Sequence, residues 1–261
     1  MNTYERRNKI VEMVNASGSM LVSDFSTQFG VTEVTIRADL RLLEKKGLLI
    51  RFHGGAAKSA SEVPVALLSD ENDEVSLNDR YMLAADPKRR IAIEAAKMVH
   101  EGDTVLLDSG STTKSLAEEL VKMKNITIIT NNLPAALLLS DNRDITLIVC
   151  GGMLRHKTVS LHGRVAEYAI GEVSANIMFV GADGLDCENG ITTFNEGYSI
   201  SGIMASVSQK VVVVTDSSKF GKKGLNNVLP ISKIDTIITD TMAPEEYVNT
   251  LINLGKEVKL T

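Results

Sequence analysis

Apolar residues recur at helical spacing in the first fifty positions of the chain. In one segment Ile36, Leu40 and Leu43 are three or four residues apart, which gives a helix one inward stripe. A shorter helix precedes this segment: Ser23 has the character of its N-cap, and Gly30 would end it. Three helices are therefore predicted, over 4–15, 23–29 and 32–46.

A short strand and a tight turn follow the third helix. Residues 48–52 have strand character, and His53-Gly54-Gly55 marks the turn. A helix, a glycine-containing turn, a second helix and a β-wing together predict a winged helix-turn-helix. We assign this small domain to residues 1–58 and a linker to residues 59–80, where serine and acidic segments flank Pro64.

Helical segments and apolar strands alternate in the rest of the chain, residues 81–261. Strands are predicted over 104–107, 126–130, 145–150, 177–180, 211–215 and 236–239, and helices over 88–100 and 114–122. Alternation of this kind is typical of a largely parallel sheet covered by helices on both faces. The predicted fold class is therefore α/β, with a winged helix-turn-helix in front of an α/β domain.

The two predicted domains differ in the sign of their net charge. Residues 1–58 hold nine Lys and Arg against six Asp and Glu, whereas the remainder holds nineteen against twenty-seven. A basic head on an acidic body suits a small DNA-binding domain, although an excess of three charges also arises by chance. Two cysteines, no apolar run of about 18 residues and no secretory signal at the start favour a cytoplasmic protein that does not span a membrane.

The third helix carries side chains suited to the DNA major groove. Its inward stripe leaves Glu33, Thr35, Arg37 and Arg41 pointing outward. Arginine binds guanine with two hydrogen bonds, and threonine reaches a phosphate or a base edge. The alternative is that both arginines lie on a solvated face and pair with nearby acids. Further DNA contacts are predicted at Ser23 in the second helix and at Arg51 and His53 in the wing.

A Ser/Thr-rich loop follows the first strand of the α/β domain. Gly110 allows the backbone to approach a ligand, and successive N–H groups and hydroxyls then converge at a helix start, which suits a phosphate. The alternative is a well-capped βα turn, and the Gly-Lys-Ser/Thr ending of a P-loop is absent. The predicted phosphate ligands are Ser109, Gly110, Ser111, Thr112 and Thr113.

Two further polar residues follow predicted strands. Asp183 comes after the strand that ends at Val180, and Lys219 comes after the strand that ends at Thr215. Residues just beyond the carboxyl ends of strands line the ligand crevice of open α/β sheets. Asp183 is therefore a candidate acceptor for sugar hydroxyls and Lys219 a candidate phosphate contact. The alternative is an ordinary surface ion pair.

Several motifs, in order along nearly the whole chain, resemble the DeoR family of repressors. They are Glu5-Arg-Arg-Asn-Lys-Ile10, Val31-Thr-Glu-Val-Thr-Ile-Arg-Ala-Asp-Leu40, Arg51-Phe-His-Gly-Gly-Ala56, Asp108-Ser-Gly-Ser-Thr-Thr113, Thr130-Asn-Asn-Leu133, Gly151-Gly-Met-Leu-Arg155 and Thr215-Asp-Ser-Ser-Lys-Phe220. One departure is Ala38, where the family pattern usually has a second arginine. The departure puts one DNA contact of the family type in doubt.

The α/β domain also resembles ribose-5-phosphate isomerase. The resemblance lies in the loop 109–113, the turn Gly181-Ala-Asp183 and the pair Ser218-Lys219. Val180 stands where the isomerase has an acid, and the active-site lysine of the isomerase has no counterpart in 190–196. Isomerisation needs a positioned base and an electrophile, so the sequence favours a receptor over an enzyme. An isomerase or hydrolase with a DNA-binding head is the alternative, and a DNA-binding scaffold without ligand is the third hypothesis.

The family resemblance implies a repressor that is controlled by a phosphorylated sugar or sugar alcohol. Two segments, 1–10 and 190–202, resemble regulators of galactitol utilisation, and this resemblance implies galactitol 1-phosphate or a tagatose phosphate as the effector. Asn131, Asn132 and Glu196 are additional candidates for hydroxyl contacts. We expect a homo-oligomer on double-stranded operator DNA, because one recognition helix covers only a few base pairs. We expect no cofactor, and no Cys/His spacing indicates a metal site.

Overall fold

The computed structural model describes residues 3–45, 48–52, 54–58, 77–193, 200–224 and 226–261. The chain divides into two compact units, 1–73 and 74–261. The predicted boundaries at residues 58 and 80 stay predictions. Residues 77–80, at the end of the predicted linker, belong to a helix, Leu77–Met82. Within the described residues, every helix is too short or too polar to cross a lipid bilayer.

The first unit has the winged helix-turn-helix order. Its elements are α1 (Thr3–Ser17), β1 (Ser19–Leu21), α2 (Val22–Phe29), α3 (Glu33–Lys45), β2 (Ile50–Phe52) and β3 (Gly55–Ala57). The strands form an antiparallel sheet in the order β1-β3-β2. Ile10, Phe25, Ile36 and Leu40 fill the core between the helices and are almost fully buried. The stripe predicted on α3 is therefore confirmed as its inward face.

Helix α2 begins one residue earlier than predicted, and the predicted N-cap is wrong. Leu21 is the N-cap and supplies no side-chain bond, while the Ser23 hydroxyl lies 3.4 Å from the Asp24 carboxylate. The wing provides a hydrogen-bond partner at the start of α2 instead, because the N–H of Val22 donates to the carbonyl of Gly54 at 2.9 Å. The predicted end at Gly30 is confirmed, since Gly30 has the left-handed φ of 62° that favours glycine.

The second unit is an α/β domain. Its helices are α4 (Leu77–Met82), α5 (Ala85–Ala96), α6 (Ser111–Leu120), α7 (Leu133–Leu139), α8 (Arg164–Gly171), α9 (Ser201–Ser206) and α10 (Glu245–Asn253). Its strands are β4 (Thr104–Leu107), β5 (Ile126–Thr130), β6 (Ile145–Val149), β7 (Met153–Arg155), β8 (Ser160–His162), β9 (Ala175–Val180), β10 (Gly184–Asp186), β11 (Gly190–Thr193), β12 (Ser208–Val214), β13 (Asn226–Leu229), β14 (Thr236–Thr239) and β15 (Glu257–Leu260).

Seven strands form one parallel sheet in the order β15-β14-β12-β9-β4-β5-β6. The chain starts at β4, runs outward through β5 and β6, and then returns to β9 on the other side of β4. The strand order therefore reverses between β4 and β9. In open α/β sheets such a reversal opens a crevice at the carboxyl ends of the two strands, where ligands bind.

Helices cover both faces of this sheet, which confirms the predicted fold class. On one face α5, α6 and α7 pack against side chains such as Val105 and Phe179. On the other face α8, α9 and α10 pack against side chains such as Leu106 and Met178. Successive residues of a strand point to opposite faces, so both β4 and β9 are buried on both sides. Strand β15, the hairpin β7-β8 and the small antiparallel sheet β10-β11-β13 were not predicted.

Candidate functional site

The predicted phosphate loop lies at the reversal of strand order and runs into α6. Helix α6 begins at Ser111, three residues earlier than predicted, because Gly110 is its N-cap with a φ of 142°. Glycine has no side chain to cap the first turn, and the first N–H groups of a helix have no partner within it. The hydroxyl of Thr113 donates to the carbonyl of Gly110 at 3.0 Å. The loop thus presents the positive end of a helix to the crevice.

Two asparagines follow β5 and have different roles. Asn132 is structural: its amide Nδ2 donates to the Gly110 carbonyl at 3.1 Å, and its Oδ1 accepts the N–H of Ala135 at 3.2 Å. It therefore joins the phosphate loop to the start of α7. Asn131 is fully buried, and neither its amide nitrogen nor its oxygen makes a hydrogen bond of good geometry to the described residues, although the amide lies close enough to the Asp108 carboxylate to lower the pKa of that group. Buried amides are normally paired, so Asn131 is the better candidate for a ligand contact.

Asp108 is buried directly before the phosphate loop. Its carboxylate accepts the hydroxyl of Ser201, at the start of α9, and the N–H of Ser109 at 2.7 Å. Burial raises the pKa of Asp108, and the bonds from Ser201 and Ser109 act in the opposite direction. The side chain is only 5% exposed. Its contacts show that Asp108 holds the loop against α9.

Asp183, after β9, forms an ion pair with an arginine that the sequence analysis did not identify as a site residue. The Arg80 guanidinium of α4 lies 2.9 Å from Asp183 Oδ1, and the Thr193 hydroxyl donates to Oδ2 at 2.8 Å. Both side chains of the ion pair are largely buried. Arg80 falls in the segment predicted to be linker, where no pattern marked it. The ion pair brings α4 to the end of β9, so the carboxylate is part of a buried polar cluster.

A second missed cation, Lys88, lies on α5 close to this ion pair. Its ammonium donates to the carbonyls of Arg80 and Leu83 at 2.6 and 2.7 Å. Burial lowers its pKa to about 8; Asp216 opposes this shift, and the positive charges of Lys219 and Arg80 add to it. A signal for Lys88 was present in the sequence, because it occupies a helical position on the buried stripe of α5.

Lys219 completes a cationic cluster with Arg80 and Lys88. It lies in the short 3-10 helix Ser217–Lys219 after β12, half-buried. Burial lowers its pKa, and the carboxylates of Asp216 and Asp183 oppose that shift. The segment is held by Asp216, which accepts the N–H of Ser218 at 3.1 Å, and by Asp240, which accepts the N–H of Ser217 at 2.7 Å.

The loops therefore meet at one edge of the sheet. The site comprises the N-terminus of α6, the cationic cluster, the buried amide of Asn131 and the carboxylates of Asp183 and Asp216. A Cβ on Gly181, after β9, would lie 3.9 Å from the carbonyl of Ser109, after β4. Glu196 lies outside the described residues, so its predicted contact stays a prediction. No group of three or more His, Cys, Asp or Glu in the described ranges is arranged to hold a metal.

The predicted DNA-contacting residues of α3 lie on its solvent-facing side. Glu33, Arg37 and Arg41 are exposed and Thr35 is half-buried. Arg37 pairs with Glu33 at 2.7 Å, one helical turn away, so the alternative of an intrahelical ion pair is present in the unbound protein. Exposed pairs of this type are weak, and a DNA phosphate or guanine competes with them. Thr35 shares a hydrogen bond with the hydroxyl of Thr32 at 3.0 Å.

The other predicted contacts lie beside α3. Ser23 is exposed in the first turn of α2. Arg51, on β2, pairs with Glu44 of α3 at 3.2 Å and also bonds it through its backbone N–H. His53 lies outside the described residues, and its role as a wing contact stays a prediction.

Two arginines of α1 bind a buried carboxylate of α3, a contact that the sequence analysis did not identify. Asp39 of α3 is 1% exposed and accepts Arg6 Nε and Arg7 Nε, each at 2.7 Å. The inward side of α3 thus carries one carboxylate held by two guanidinium groups. The ion pairs of Asp39 join the inward side of α3 to α1, while Arg37 and Arg41 lie on the exposed side of α3.

Comparisons with known proteins agree with this architecture. Residues 6–62 match the DeoR-like helix-turn-helix domain, and residues 84–241 match the DeoR C terminal sensor domain. A protein of Escherichia coli O157:H7 assigned to repression of the aga operon is 35% identical over 99% of this chain and 94% of its own length. The glycerol-3-phosphate regulon repressor of Escherichia coli K12 is 30% identical over the whole of both chains.

Two other matches are the regulator GolR of Listeria innocua and a solved isomerase. GolR is 31% identical over 100% of this chain and 99% of its own. The ribose 5-phosphate isomerase A of Methanocaldococcus jannaschii covers 53% of this chain and 55% of its own, with 23% identity and a TM-score of 0.40. The family matches span both units of the chain, and the named relatives are regulators of transcription. The chain therefore belongs to the DeoR family of transcriptional regulators, with a DNA-binding winged helix-turn-helix followed by the sensor domain of the family.

Proposed function

We propose that this regulator represses an operon for the use of a sugar or sugar alcohol and that a phosphorylated form of that compound is its effector. The cationic cluster carries the assignment of the phosphate. Arg80, Lys88 and Lys219 lie where the strand order reverses, with Asp183 and Asp216 close by. Desolvation lowers the pKa of both lysines, so a bound anion would repay part of the cost of burying their charges.

The phosphate is proposed to bind at the loop 109–113. The N-terminus of α6 supplies backbone N–H groups and a positive dipole end, and Ser111, Thr112 and Thr113 follow in its first turn. Lys219 supplies positive charge. Hydrogen bonds between charged partners are about twice as strong as those between neutral groups, so the phosphate is expected to provide most of the affinity.

The hydroxyl groups of the effector are proposed to bind Asp183 and Asn131. A carboxylate has about four lone-pair sites, so Asp183 retains acceptor capacity beside its bonds from Arg80 and Thr193. The buried Asn131 amide offers both a donor and an acceptor. Glu196 remains a candidate for the same role, and Asn132 a weaker one, because its amide is occupied by the loop.

Galactitol 1-phosphate or a tagatose phosphate is the specific effector that we propose. The segments 1–10 and 190–202 support this choice through their resemblance to regulators of galactitol use. A full-length relative is named a glycerol-3-phosphate regulon repressor, which supports a phosphorylated polyol as the chemical class. Other relatives are named for the aga operon and as GolR, so the compound itself has to be identified by experiment.

On DNA, we propose a homo-oligomer in the cytoplasm whose α3 helices enter the major groove at two half-sites. Arg37 and Arg41 would contact bases or phosphates there, and Arg51 and His53 would contact the backbone or minor groove from the wing. The effector changes DNA affinity only if it binds the free and the DNA-bound protein differently.

A titration of the operator complex tests the proposal. Galactitol 1-phosphate, tagatose phosphates, glycerol 3-phosphate and free galactitol are added to full-length protein on operator DNA, and bound DNA is measured by fluorescence anisotropy. We expect a response to one phosphorylated compound at lower concentration than to the others. A response to free galactitol that equals the response to its phosphate would refute the phosphate site. No response and no thermal shift with any compound would favour the scaffold hypothesis.

A further inference from the structure

Helix α8 has an outward face that is apolar in the middle and charged at both ends. Val165 is 65% exposed and Tyr168 is 73% exposed, whereas Ala166 and Ile170 on the inner side are fully buried. Gly171 lies on the outward face one turn after Tyr168, and no atom lies within 4 Å of the position that a Cβ would occupy there. Exposed apolar residues that line one face of a helix are typical of a protein interface.

The charges at the ends of α8 oppose its dipole. Arg164 is the first residue of the helix, where the partial charge is positive, and Glu172 is its C-cap, where the partial charge is negative. Both are exposed, and neither pairs with another residue in the described parts of the chain. Glu167 in the first turn has the favourable sign, whereas Arg164 and Glu172 each weaken the helix that carries them. A partner that reverses this effect would bring a negative charge to the start of α8 and a positive charge to its end.

A second copy of α8, packed antiparallel, has this charge pattern. Arg164 and Glu172 each lie four residues from Tyr168, so a two-fold axis at Tyr168 places Arg164 opposite Glu172 of the partner subunit. The same axis brings the two Tyr168 rings together, with Val165 and Gly171 on the two flanks of that contact. The opposite dipole ends of the two helices also meet. Such a surface is self-complementary, as an isologous interface requires.

We propose that the outward face of α8 is a two-fold interface between two copies of this chain. The inference rests on the homo-oligomer of the proposed function and locates it. A helix of eight residues is about 12 Å long, which is short for an interface of about 800 Å² per subunit. The surface continues beyond α8 into the chain before β7, because a Cβ on Gly151 would lie 3.7 Å from Val165 and Met153, two residues later, is 54% exposed.

Charge reversal in the full-length protein tests the interface. Arg164→Glu and Glu172→Arg each set like charges against each other twice in the dimer, while each removes a charge that opposes the helix dipole of its own chain. We expect each to weaken association by about tenfold or more, as measured by sedimentation. Neither should lower the thermal stability of the dissociated chain. The double variant Arg164→Glu/Glu172→Arg restores opposite charges, and we expect it to regain association.

Lys122→Glu is the control for Arg164→Glu, because it makes the same charge change in the turn after α6, whose helix covers the other face of the sheet. It should sediment as wild type. Wild-type sedimentation of both single variants would overturn the α8 interface and leave the oligomer standing. Weakened single variants without recovery in the double variant would overturn the two-fold pairing of Arg164 with the partner subunit's Glu172. A wild-type chain that is monomeric at every concentration would overturn both the interface and the proposed oligomer.

Discussion

Arg80 of α4 lies 2.9 Å from Asp183 at the end of β9, and both side chains are largely buried. Removing one partner of a buried ion pair leaves a charge without compensation, which costs about 3–5 kcal/mol when burial is complete. Because this pair retains some exposure, we expect Arg80→Ala to lower the free energy of unfolding by about 2–3 kcal/mol. Urea unfolding of Arg80→Ala, Asp183→Ala and the double variant measures the coupling. Additive losses would show that the two side chains act independently.

Lys219→Ala should weaken the effector without weakening operator binding. The variant loses a charge-assisted contact, so its effector affinity should fall by about 1.5–3 kcal/mol. Its operator contacts lie in the other unit and should be unchanged. Lys233→Ala, which removes an exposed lysine in the same unit, is the control. Equal effector responses in wild type and Lys219→Ala would refute the site.

Effector affinity should fall as pH rises through about 8. Burial lowers the pKa of Lys88 to about 8, so its ammonium is charged at pH 7 and largely neutral at pH 9. A sugar phosphate is already close to dianionic at pH 7, with its second pKa near 6, so the ligand itself changes little over this range. Calorimetric titrations at pH 7 and 9 test this expectation. Lys88→Met should bind more weakly at pH 7 and show a shallower pH dependence, to which Lys219 still contributes because burial also lowers its pKa. An equally steep profile in that variant would exclude Lys88 as a source.

Arg37→Ala should lower specific operator binding by about 1–3 kcal/mol and relax base preference. The side chain is exposed on α3, and DNA binding would break its exposed ion pair with Glu33. Anisotropy with operator and scrambled DNA at one salt concentration measures both effects. Arg90→Ala, an exposed arginine of the sensor domain, is the control. Unchanged operator affinity in Arg37→Ala would remove it from the interface.

Asp39→Ala should lower the free energy of unfolding of the DNA-binding unit. It leaves the buried Arg6 guanidinium and the half-buried Arg7 without their shared carboxylate, at a cost of about 3–5 kcal/mol. Glu33→Ala, which removes an exposed carboxylate of the same helix, should change stability by less than about 1 kcal/mol. Proteolysis and thermal unfolding report the difference. Equal stability of the two variants would mean that the Asp39 anchor contributes no more than a surface ion pair.

The sequence by itself determined the elements whose patterns are local. Strands β4, β5 and β14 have the predicted bounds, because a run of apolar β-formers between polar turns depends only on neighbouring residues. The inward stripe of α3 followed from the spacing of Ile36, Leu40 and Leu43. Family motifs then indicated a DNA-binding head and a sensor domain, which the domain matches confirmed.

Tertiary structure decided which distant residues meet. The reversal of strand order between β4 and β9 depends on long-range pairing, and it brings the loop 109–113 to the turn at Gly181. Arg80 enters the site only because α4 packs there, whereas its own segment had the composition of a linker. Only the fold shows that Asn132 is committed to a loop and that Arg164 and Glu172 have no partner among the described residues. The spacing of apolar residues along the chain indicates which face of a helix or strand is buried. The ion-pair partner of a charged residue is set by residues that are far away in sequence.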